Sequence, residues 1–161
     1  MKELNKKIIE WAKERELDKK GTIEGQILKT IEEMSELIKG VCKNNKYLIE
    51  DSIGDVYVTL VIGNMLSGVD IEDKINFENK TIIPMEDTGE IIGNLAGAIN
   101  DMTFSIIPYQ ALTIAIYGIL RRTASFYNTT LKECVQLAYD EIKMRKGKTV
   151  NGTFVKEEDL K

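Results

Sequence analysis

Apolar residues recur at intervals of three and four along most of the 161-residue chain. This spacing gathers them on one face of a helix, so it predicts an all-α fold. The chain has only two prolines to interrupt such helices. The first predicted helix spans roughly residues 2–17, with "DKKG" expected to end it, and its apolar face carries Leu4, Ile8, Trp11 and Ala12.

The next two predicted helices form an antiparallel hairpin. Thr22 is expected to cap a helix over roughly 23–43, and a third helix follows over roughly 46–67, with Gly68 as its left-handed end. Because "KNN" leaves only a short connection, the two helices lie side by side in opposite directions. The apolar stripe of the first of them consists of Ile23, Ile27, Ile31, Met34, Ile38 and Val41.

Three more long helices are predicted in the remaining chain. A short helix from Asp70 and a loop ending near Pro84 precede them, and Asp87 or Thr88 is expected to begin the first. "TLKE" begins the last, because its threonine and glutamate match a capping box, and Gly147 is expected to end it. The predicted bounds are roughly 88–103, 108–127 and 131–146.

The tail over 148–161 carries Asn151-Gly152 between β-branched residues, a strong hairpin signal that predicts a short β-hairpin or an extended arm. The length suits one domain over 1–161. We therefore expect a bundle of about five or six helices built on the antiparallel helix hairpin. The segment 88–127 repeats the arrangement of 23–67, so a degenerate internal duplication is an open alternative.

Composition and charge exclude several classes of function. The formal net charge is −4, whereas a general nucleic-acid binder needs a basic face to neutralise phosphates. The chain has no histidine, which excludes Ser-His-Asp catalysis, Cys-His dyads and imidazole metal ligands. Carboxylate oxygens remain for metal chemistry, and they favour hard ions such as Mg²⁺ or Mn²⁺.

The chain lacks the signals of export and membrane insertion. Charges interrupt the apolar residues near its start, and its longest apolar-rich run is too short to span a bilayer. We therefore expect a cytoplasmic protein with no membrane partner. Cys42 and Cys134 lie far apart within helical apolar patterns, and both are expected to be small buried hydrophobic residues.

An unusual group of acids occurs on the predicted helix hairpin. An arc of roughly 120° on its first helix contains Gln26, Lys29, Glu32, Glu33 and Glu36. Asp51 and Asp55, four residues apart, share a face of the second helix.

Up to five carboxylates therefore face one another across the hairpin. Charge spacing alone favours two solvated faces. Two details favour a cation site instead. The acids within each group do not alternate with bases, and Asp55 runs into an almost wholly apolar stretch, where an uncompensated carboxylate is costly.

This pattern resembles the MazG-like branch of the all-α nucleoside triphosphate pyrophosphohydrolases, a superfamily that includes dimeric dUTPases and phosphoribosyl-ATP pyrophosphatases. The resemblance lies in Glu33-x-x-Glu36 after Glu32, and in "QILKTIEEMSELIKG", "DSIGDVYVTL" and "AYDEIKMRKGKTVNGTFVKEED". The family signature is ExxE followed by ExxD on the next helix. Here Ser52 stands where the second glutamate is expected, and Asp51 is the nearest replacement, which leaves the number of metal ions open.

The resemblance implies cleavage of a nucleoside triphosphate between the α and β phosphates, giving a monophosphate and pyrophosphate. It implies Mg²⁺ held by Glu33, Glu36 and Asp55, with Asp51 as a fourth candidate ligand. Glu32 or Glu33 is the candidate base that activates water. Homo-oligomers, dimers or tetramers, are also implied. The candidate substrate contacts are Gln26, Lys29, Lys143, Arg145 and Lys146.

Two other functions remain open at this point. The same fold can bind nucleotides without hydrolysing them, as a sensor or regulator, and Ser52 supports this alternative. A helical interaction protein can also use an acidic patch to recruit a basic partner. Basic residues at the end of a helix, such as Lys143 and Arg145, can equally be complements of the helix dipole.

Overall fold

The computed structural model describes residues 1–75, 81–104 and 108–160. Within these ranges it has eight α-helices, one antiparallel β-hairpin and a single 3₁₀ turn, so the predicted all-α bundle with a C-terminal hairpin is confirmed. Six of these helices have 12 or more residues, and the other two have four. The elements are α1 Lys2–Glu14, α2 Leu17–Lys20, α3 Ile23–Cys42, α4 Lys46–Leu66, α5 Ile71–Lys74, α6 Thr88–Thr103, α7 Tyr109–Phe126, α8 Leu131–Ile142, β1 Gly147–Val150, β2 Thr153–Lys156 and the 3₁₀ turn Glu157–Asp159.

Four helices form a closed circuit of contacts. Helix α3 packs on α4, α4 on α7, α7 on α6, and α6 on α3. Helices α1 and α8 also pack on α4. The core that these helices enclose is continuous, and it includes Ile53, Leu95 and Ile116, all fully buried. Helix α4 is therefore the central element of the fold.

The sequence of α4 explains its central position. Its apolar run from Val56 to Ile62 is buried on every side of the helix. Two glycines let neighbours approach its backbone closely. A side chain at Gly54 would collide with α8 at the Cys134 carbonyl, and one at Gly63 would collide with the ring of Tyr109 on α7.

The predicted helix starts are confirmed by their caps. The Thr22 side chain accepts a hydrogen bond from the Gly25 amide, and the Asp87 side chain accepts one from the Glu90 amide. Thr130 forms the expected capping box. Side-chain capping satisfies amide groups that the first helical turn leaves without partners.

Two predicted helix ends are wrong. The first helix ends at Glu14 rather than near residue 17, because Glu16 adopts a left-handed conformation with φ of 58°. The segment expected to break the chain is instead the short helix α2, which Leu17 anchors in the core. Helix α8 ends at Ile142 rather than near residue 146. Gly147 begins β1 instead of ending the helix, and its lack of a side chain lets the strand pass close to the Val155 carbonyl.

The buried side of α3 is rotated from the predicted apolar stripe. Gln26, Thr30, Glu33 and Leu37 are buried, while the four isoleucines of the stripe are only partly buried. Cys42 is exposed, which contradicts the expected burial, because it lies about 100° around the helix from buried Val41. Cys134 is buried as expected.

The C-terminal hairpin is tied to the helices at its tip and its side. Asn151 and Gly152 have φ values of 49° and 87°, as a tight type I′ turn requires. The Gly152 carbonyl accepts a 3.1 Å hydrogen bond from the Thr22 amide. The Thr149 hydroxyl donates a 2.7 Å hydrogen bond to the Arg15 carbonyl. These contacts hold the hairpin beside the start of α3.

Part of the predicted loop between Asp70 and Pro84, residues 76–80, lies outside the described residues. Among the helices that the structure describes, none combines the length and apolar character needed to cross a membrane.

Candidate functional site

A cavity of about 580 Å³ lies between α3, α4, the end of α8 and strand β2. We call it the acidic cavity. Its volume falls within the range of ligand sites, roughly 300–1,000 Å³. The structure brings all five predicted carboxylates to it, namely Glu32, Glu33, Glu36, Asp51 and Asp55. Its other lining residues are Leu28, Lys29, Arg145, Thr153, Phe154, Val155, Lys156 and Asp159.

The helix hairpin places two of these carboxylates inside the protein. Asn44, with φ of 48°, turns the chain between α3 and α4. Gly40 then allows close packing, because a side chain there would press on Ile49. As a result Glu33 and Asp55 meet at the helix interface, with only 6% and 8% of their surfaces exposed.

Burial and like charge keep the aspartates from ionising normally. Burial and the negative charges of Glu33 and Asp51 raise the pKa of Asp55 to about 7. The positive charge of Arg145 opposes this rise. Burial and the Glu141 charge raise the pKa of Asp51 to about 6. Among the described residues, none donates a hydrogen bond to Asp55, and one oxygen of Asp51 is buried without a partner. The charge of Arg145 therefore compensates the two aspartates only in part.

Lys29 compensates the glutamate side of the cavity. Its Nζ lies 2.7 Å from Glu33 Oε1 and 2.9 Å from Glu32 Oε2. Partial burial lowers the pKa of Lys29, but the hydrogen bonds and charges of the two glutamates outweigh this and raise it overall. The predicted phosphate contact is thus at the site, engaged with two of its five acids.

The donor chemistry of the cavity suits a hard divalent cation. The residues that would hold it are Glu33, Glu36, Asp51 and Asp55, and the charge of Arg145 compensates the two aspartates only in part. In the described part of the chain, no group of three or more His, Cys, Asp or Glu side chains is spaced to hold a metal ion. The carboxylates are therefore separate donors around a cavity, not a closed ligand set.

The departure at Ser52 has a clear structural form. Ser52 is only 1% exposed, lies outside the cavity lining, and its hydroxyl has no hydrogen-bond partner among the described residues. Asp51 lines the cavity instead. Of the neighbouring residues Asp51 and Ser52, only Asp51 therefore contributes a carboxylate to the acidic cavity.

The other predicted substrate contacts are divided by the structure. Arg145 lines the acidic cavity. Gln26 does not, because it is buried and its Nε2 donates a 3.2 Å hydrogen bond to the Thr59 carbonyl, beside a smaller cavity of about 60 Å³. Lys143 lies outside the lining and pairs with Asp140 at 2.5 Å. Lys146 lines a neighbouring cavity instead.

Sequence reasoning missed the residues that hold Arg145. Its guanidinium lies 3.3 Å from Glu141 Oε2, and the Tyr47 hydroxyl donates to the other oxygen of Glu141, which raises the pKa of Tyr47 to about 12. Arg15 donates a 2.8 Å hydrogen bond to the Arg145 carbonyl. The four-residue spacing of Glu141 and Arg145 was a usable signal. The contact between Tyr47 and Glu141 could not be predicted from sequence spacing, because the two residues lie 94 positions apart.

The wall formed by β2 was also missed. Thr153, Phe154 and Lys156 line the acidic cavity, and Phe154 packs edge-on against Trp11 with ring centroids 5.2 Å apart. The Asn151-Gly152 turn sets a register that pairs Lys156 with Gly147. That register was a signal that Lys156 lies beside the basic end of α8.

A phage protein resembles this chain over a limited segment. Over 62 residues the chain is 44% identical to an uncharacterized 18.2 kDa protein from the rep-hol intergenic region of Haemophilus phage HP1 (strain HP1c1). The match covers 38% of this chain and 38% of the phage protein, so it spans about two fifths of that relative. No family model and no solved structure matches the chain. The description of the phage protein states no activity, so function must be argued from the site.

Proposed function

We propose that the protein is a Mg²⁺-dependent nucleoside triphosphate pyrophosphohydrolase. It cleaves a nucleotide or deoxynucleotide between the α and β phosphates, giving the monophosphate and pyrophosphate. One observation carries the proposal: five carboxylates and the cations Lys29 and Arg145 line one cavity, in which Asp55 is buried without a hydrogen-bond donor among the described residues. This distribution suits a divalent cation bound together with a polyphosphate. The resemblance of the acidic motif to MazG-like enzymes supports the same function.

The carboxylates have two roles in this proposal. Glu33, Glu36, Asp51 and Asp55 would hold Mg²⁺, which would neutralise phosphate charge and lower the pKa of a water molecule. A glutamate of the cavity orients the attacking water and accepts its proton. The water oxygen then forms a bond to phosphorus while the bridging P–O bond breaks. Glu32 and Glu33 are both candidates for this base, because both lie beside Lys29 in the same cavity.

The two cations bind the phosphates. Arg145 has a planar guanidinium that can donate two parallel hydrogen bonds to a phosphate. Lys29 is engaged with Glu32 and Glu33 in the protein alone. Once a divalent cation compensates these glutamates, the ammonium can turn towards phosphate oxygens as a point charge.

A nucleotide panel tests the proposal directly. The protein is incubated with each common NTP and dNTP and Mg²⁺ or Mn²⁺, and pyrophosphate and monophosphate are measured together. We expect equal amounts of both products from at least one nucleotide, and none in excess EDTA. If none of the nucleotides yields pyrophosphate, the enzyme assignment is wrong. The E32Q and E33Q variants, compared at saturating Mg²⁺, then test which glutamate is the base, since the variant of the base should lose kcat without losing Mg²⁺ affinity.

A second candidate function is nucleotide binding without hydrolysis. Two observations favour it: Ser52 replaces a motif glutamate, and the carboxylates in the described ranges do not form a closed metal-ligand set. Ligands that bind the native state raise its melting temperature. A rise with Mg²⁺ and nucleotide but no pyrophosphate release would support this candidate. The absence of both the rise in melting temperature and pyrophosphate release would favour a helical interaction protein whose acidic patch binds a basic partner.

A homo-oligomer, dimer or tetramer, and a cytoplasmic location are part of the same proposal. The contact circuit of α3, α4, α7 and α6 means that one chain already supplies four packed helices. A second copy is therefore not needed to complete a four-helix arrangement. Light scattering coupled to size exclusion measures the number of chains in the assembly.

A further inference from the structure

A second cavity, of about 340 Å³, lies where the end of α8 meets β2 and the 3₁₀ turn. We call it the outer cavity. Two of its residues, Arg145 and Lys156, also line the acidic cavity, so the two cavities adjoin across a pair of cations. The outer cavity is lined by Arg145, Lys146, Lys156, Glu157 and Glu158.

The lysines of the outer cavity are not neutralised by the protein. Neither Lys146 nor Lys156 forms an ion pair with any residue that the structure describes, although Lys156 is partly buried. Glu157 and Glu158 are exposed, so water and salt screen their charges. In a chain with a net charge of −4, cations left without acidic partners beside a cavity favour an anionic ligand.

Backbone pairing fixes the backbone positions of these lysines. Lys156 pairs with Gly147 in the hairpin register, and the Glu157 amide donates a 2.9 Å hydrogen bond to the Lys146 carbonyl. A side chain at Gly147 would collide with the Val155 carbonyl, so the strands approach closely here. The two lysines and Arg145 are thus held around one space by strand pairing and by the end of α8.

We propose that the outer cavity binds the terminal two phosphates of the substrate and later the pyrophosphate product, with Lys156 as the specificity-determining residue. This inference rests on the proposed function. The acidic cavity holds the carboxylates that act on the bond to be cleaved, and Lys156 and Arg145 lie between it and the outer cavity. A chain of phosphates that crosses this boundary meets cations on both sides. A monophosphate in the acidic cavity does not extend into the outer cavity and so gains only part of these contacts, and the site therefore selects triphosphates.

Calorimetric titration with inorganic pyrophosphate and Mg²⁺ tests the inference. We expect Lys156→Ala to weaken pyrophosphate binding about tenfold, as expected for the loss of a hydrogen bond between charged groups. Lys156→Arg should retain most of the affinity because it keeps the cation. Lys148→Ala is the matched control, since it removes the same charge from β1 at a position that lines a different surface cavity. Lys148→Ala should bind nucleoside monophosphates like the wild type, Lys156→Ala should lose less affinity for monophosphates than for pyrophosphate, and all three variants should show unchanged circular dichroism.

Each result bears on the inference separately from the proposed function. If Lys156→Ala binds pyrophosphate as tightly as Lys148→Ala does, or the wild type does not bind it, the inference is wrong, even if the protein hydrolyses nucleotides. If Lys156→Ala weakens binding selectively but the wild type releases no pyrophosphate from any nucleotide, the outer cavity is a polyphosphate site and the enzyme assignment fails alone.

Discussion

The two long helix hairpins of the bundle bury different kinds of side chain. The hairpin of α3 and α4 buries the carboxylates Glu33 and Asp55. The hairpin of α6 and α7 buries no charged side chain among its described residues, and its buried hydroxyls include Thr113 and Thr123. The hairpins have similar lengths and pack on each other. The difference distinguishes a scaffold from a candidate site, because buried acids lower the stability of the fold.

Carboxylate side chains behave oppositely in the two hairpins. At the surface of α6, Glu90 lies 2.6 Å from Arg122 Nη2 and accepts a hydrogen bond from the Glu86 amide. The Glu86 amide, followed by the Arg122 contact, lowers the pKa of Glu90. In the other hairpin, burial raises the pKa of Asp55. The ionised acid therefore stabilises the fold at Glu90 and destabilises it at Asp55.

The largest expected effect on function comes from removing one carboxylate of the acidic cavity. Glu36→Gln should lower kcat at least about 100-fold, since even partners behind metal ligands cost about 10- to 100-fold in metal affinity or activity. Glu36 is exposed, so the variant should fold normally. Asp101→Asn on α6 is the matched control and should retain full activity. Steady-state pyrophosphate release measures both, and equal activities would remove Glu36 from the site.

The next prediction concerns the scaffold hairpin. Ile116→Ala on α7 removes a fully buried side chain and should lower the free energy of unfolding by about 2–5 kcal/mol. Urea unfolding followed by circular dichroism measures the loss. At temperatures where the variant remains folded, KM should be unchanged because Ile116 lies outside both cavities. A large rise in KM would show that the division between scaffold and site is false.

The helix pattern could be predicted because it depends on local spacing and capping. Thr22 and Thr130 begin helices through bonds to residues three positions away, and such bonds can be inferred from a short window. The meeting of Glu33 with Asp55 could also be predicted, since a short turn leaves only an antiparallel arrangement. The place of Lys156 in the site depends on how the hairpin docks on α3, through contacts between residues more than a hundred positions apart. No local pattern carries that information.

The buried aspartate makes a pH-dependent prediction of intermediate size for the metal-free protein. The pKa of Asp55 is about 7 when folded, against 3.8 ordinarily, so the folded state binds more protons between these values. The free energy of unfolding therefore falls as the pH rises through this window. Asp55→Asn should raise the melting temperature in EDTA, by an amount that grows from pH 4 to about pH 7 and then levels off. Differential scanning calorimetry of both proteins measures this.

Glu90→Gln supplies the opposite case from the scaffold hairpin. Because the pKa of Glu90 is lowered, its contribution to stability is present above its ordinary pKa and is lost as the pH falls through the folded value. The variant should therefore melt slightly below the wild type at pH 8 and equally at low pH. If Asp55→Asn and Glu90→Gln change the melting temperature in the same direction at pH 8, the contrast between the two hairpins is wrong.

The smallest expected effect tests a contact that extends the site beyond the acidic cavity. The Tyr47 hydroxyl donates to Glu141, whose other oxygen lies 3.3 Å from Arg145. Tyr47→Phe removes this restraint, so the guanidinium should bind phosphate less readily. We expect KM for the triphosphate to rise about two- to fivefold with kcat nearly unchanged, in line with the loss of about one hydrogen bond. Tyr47 is 58% exposed, so stability should change little.

Tyr139→Phe on α8 is the control for this substitution, because the Tyr139 hydroxyl makes no hydrogen bond to a described residue. A purely structural role for Tyr47 would lower the melting temperature or kcat and leave KM unchanged. An effect on KM that disappears in a Glu141→Gln background would show that Tyr47 acts through Glu141. If Tyr47→Phe raises KM equally in the wild type and in the Glu141→Gln variant, Tyr47 does not position Arg145. The residues that affect substrate binding would then be confined to the lining of the acidic cavity.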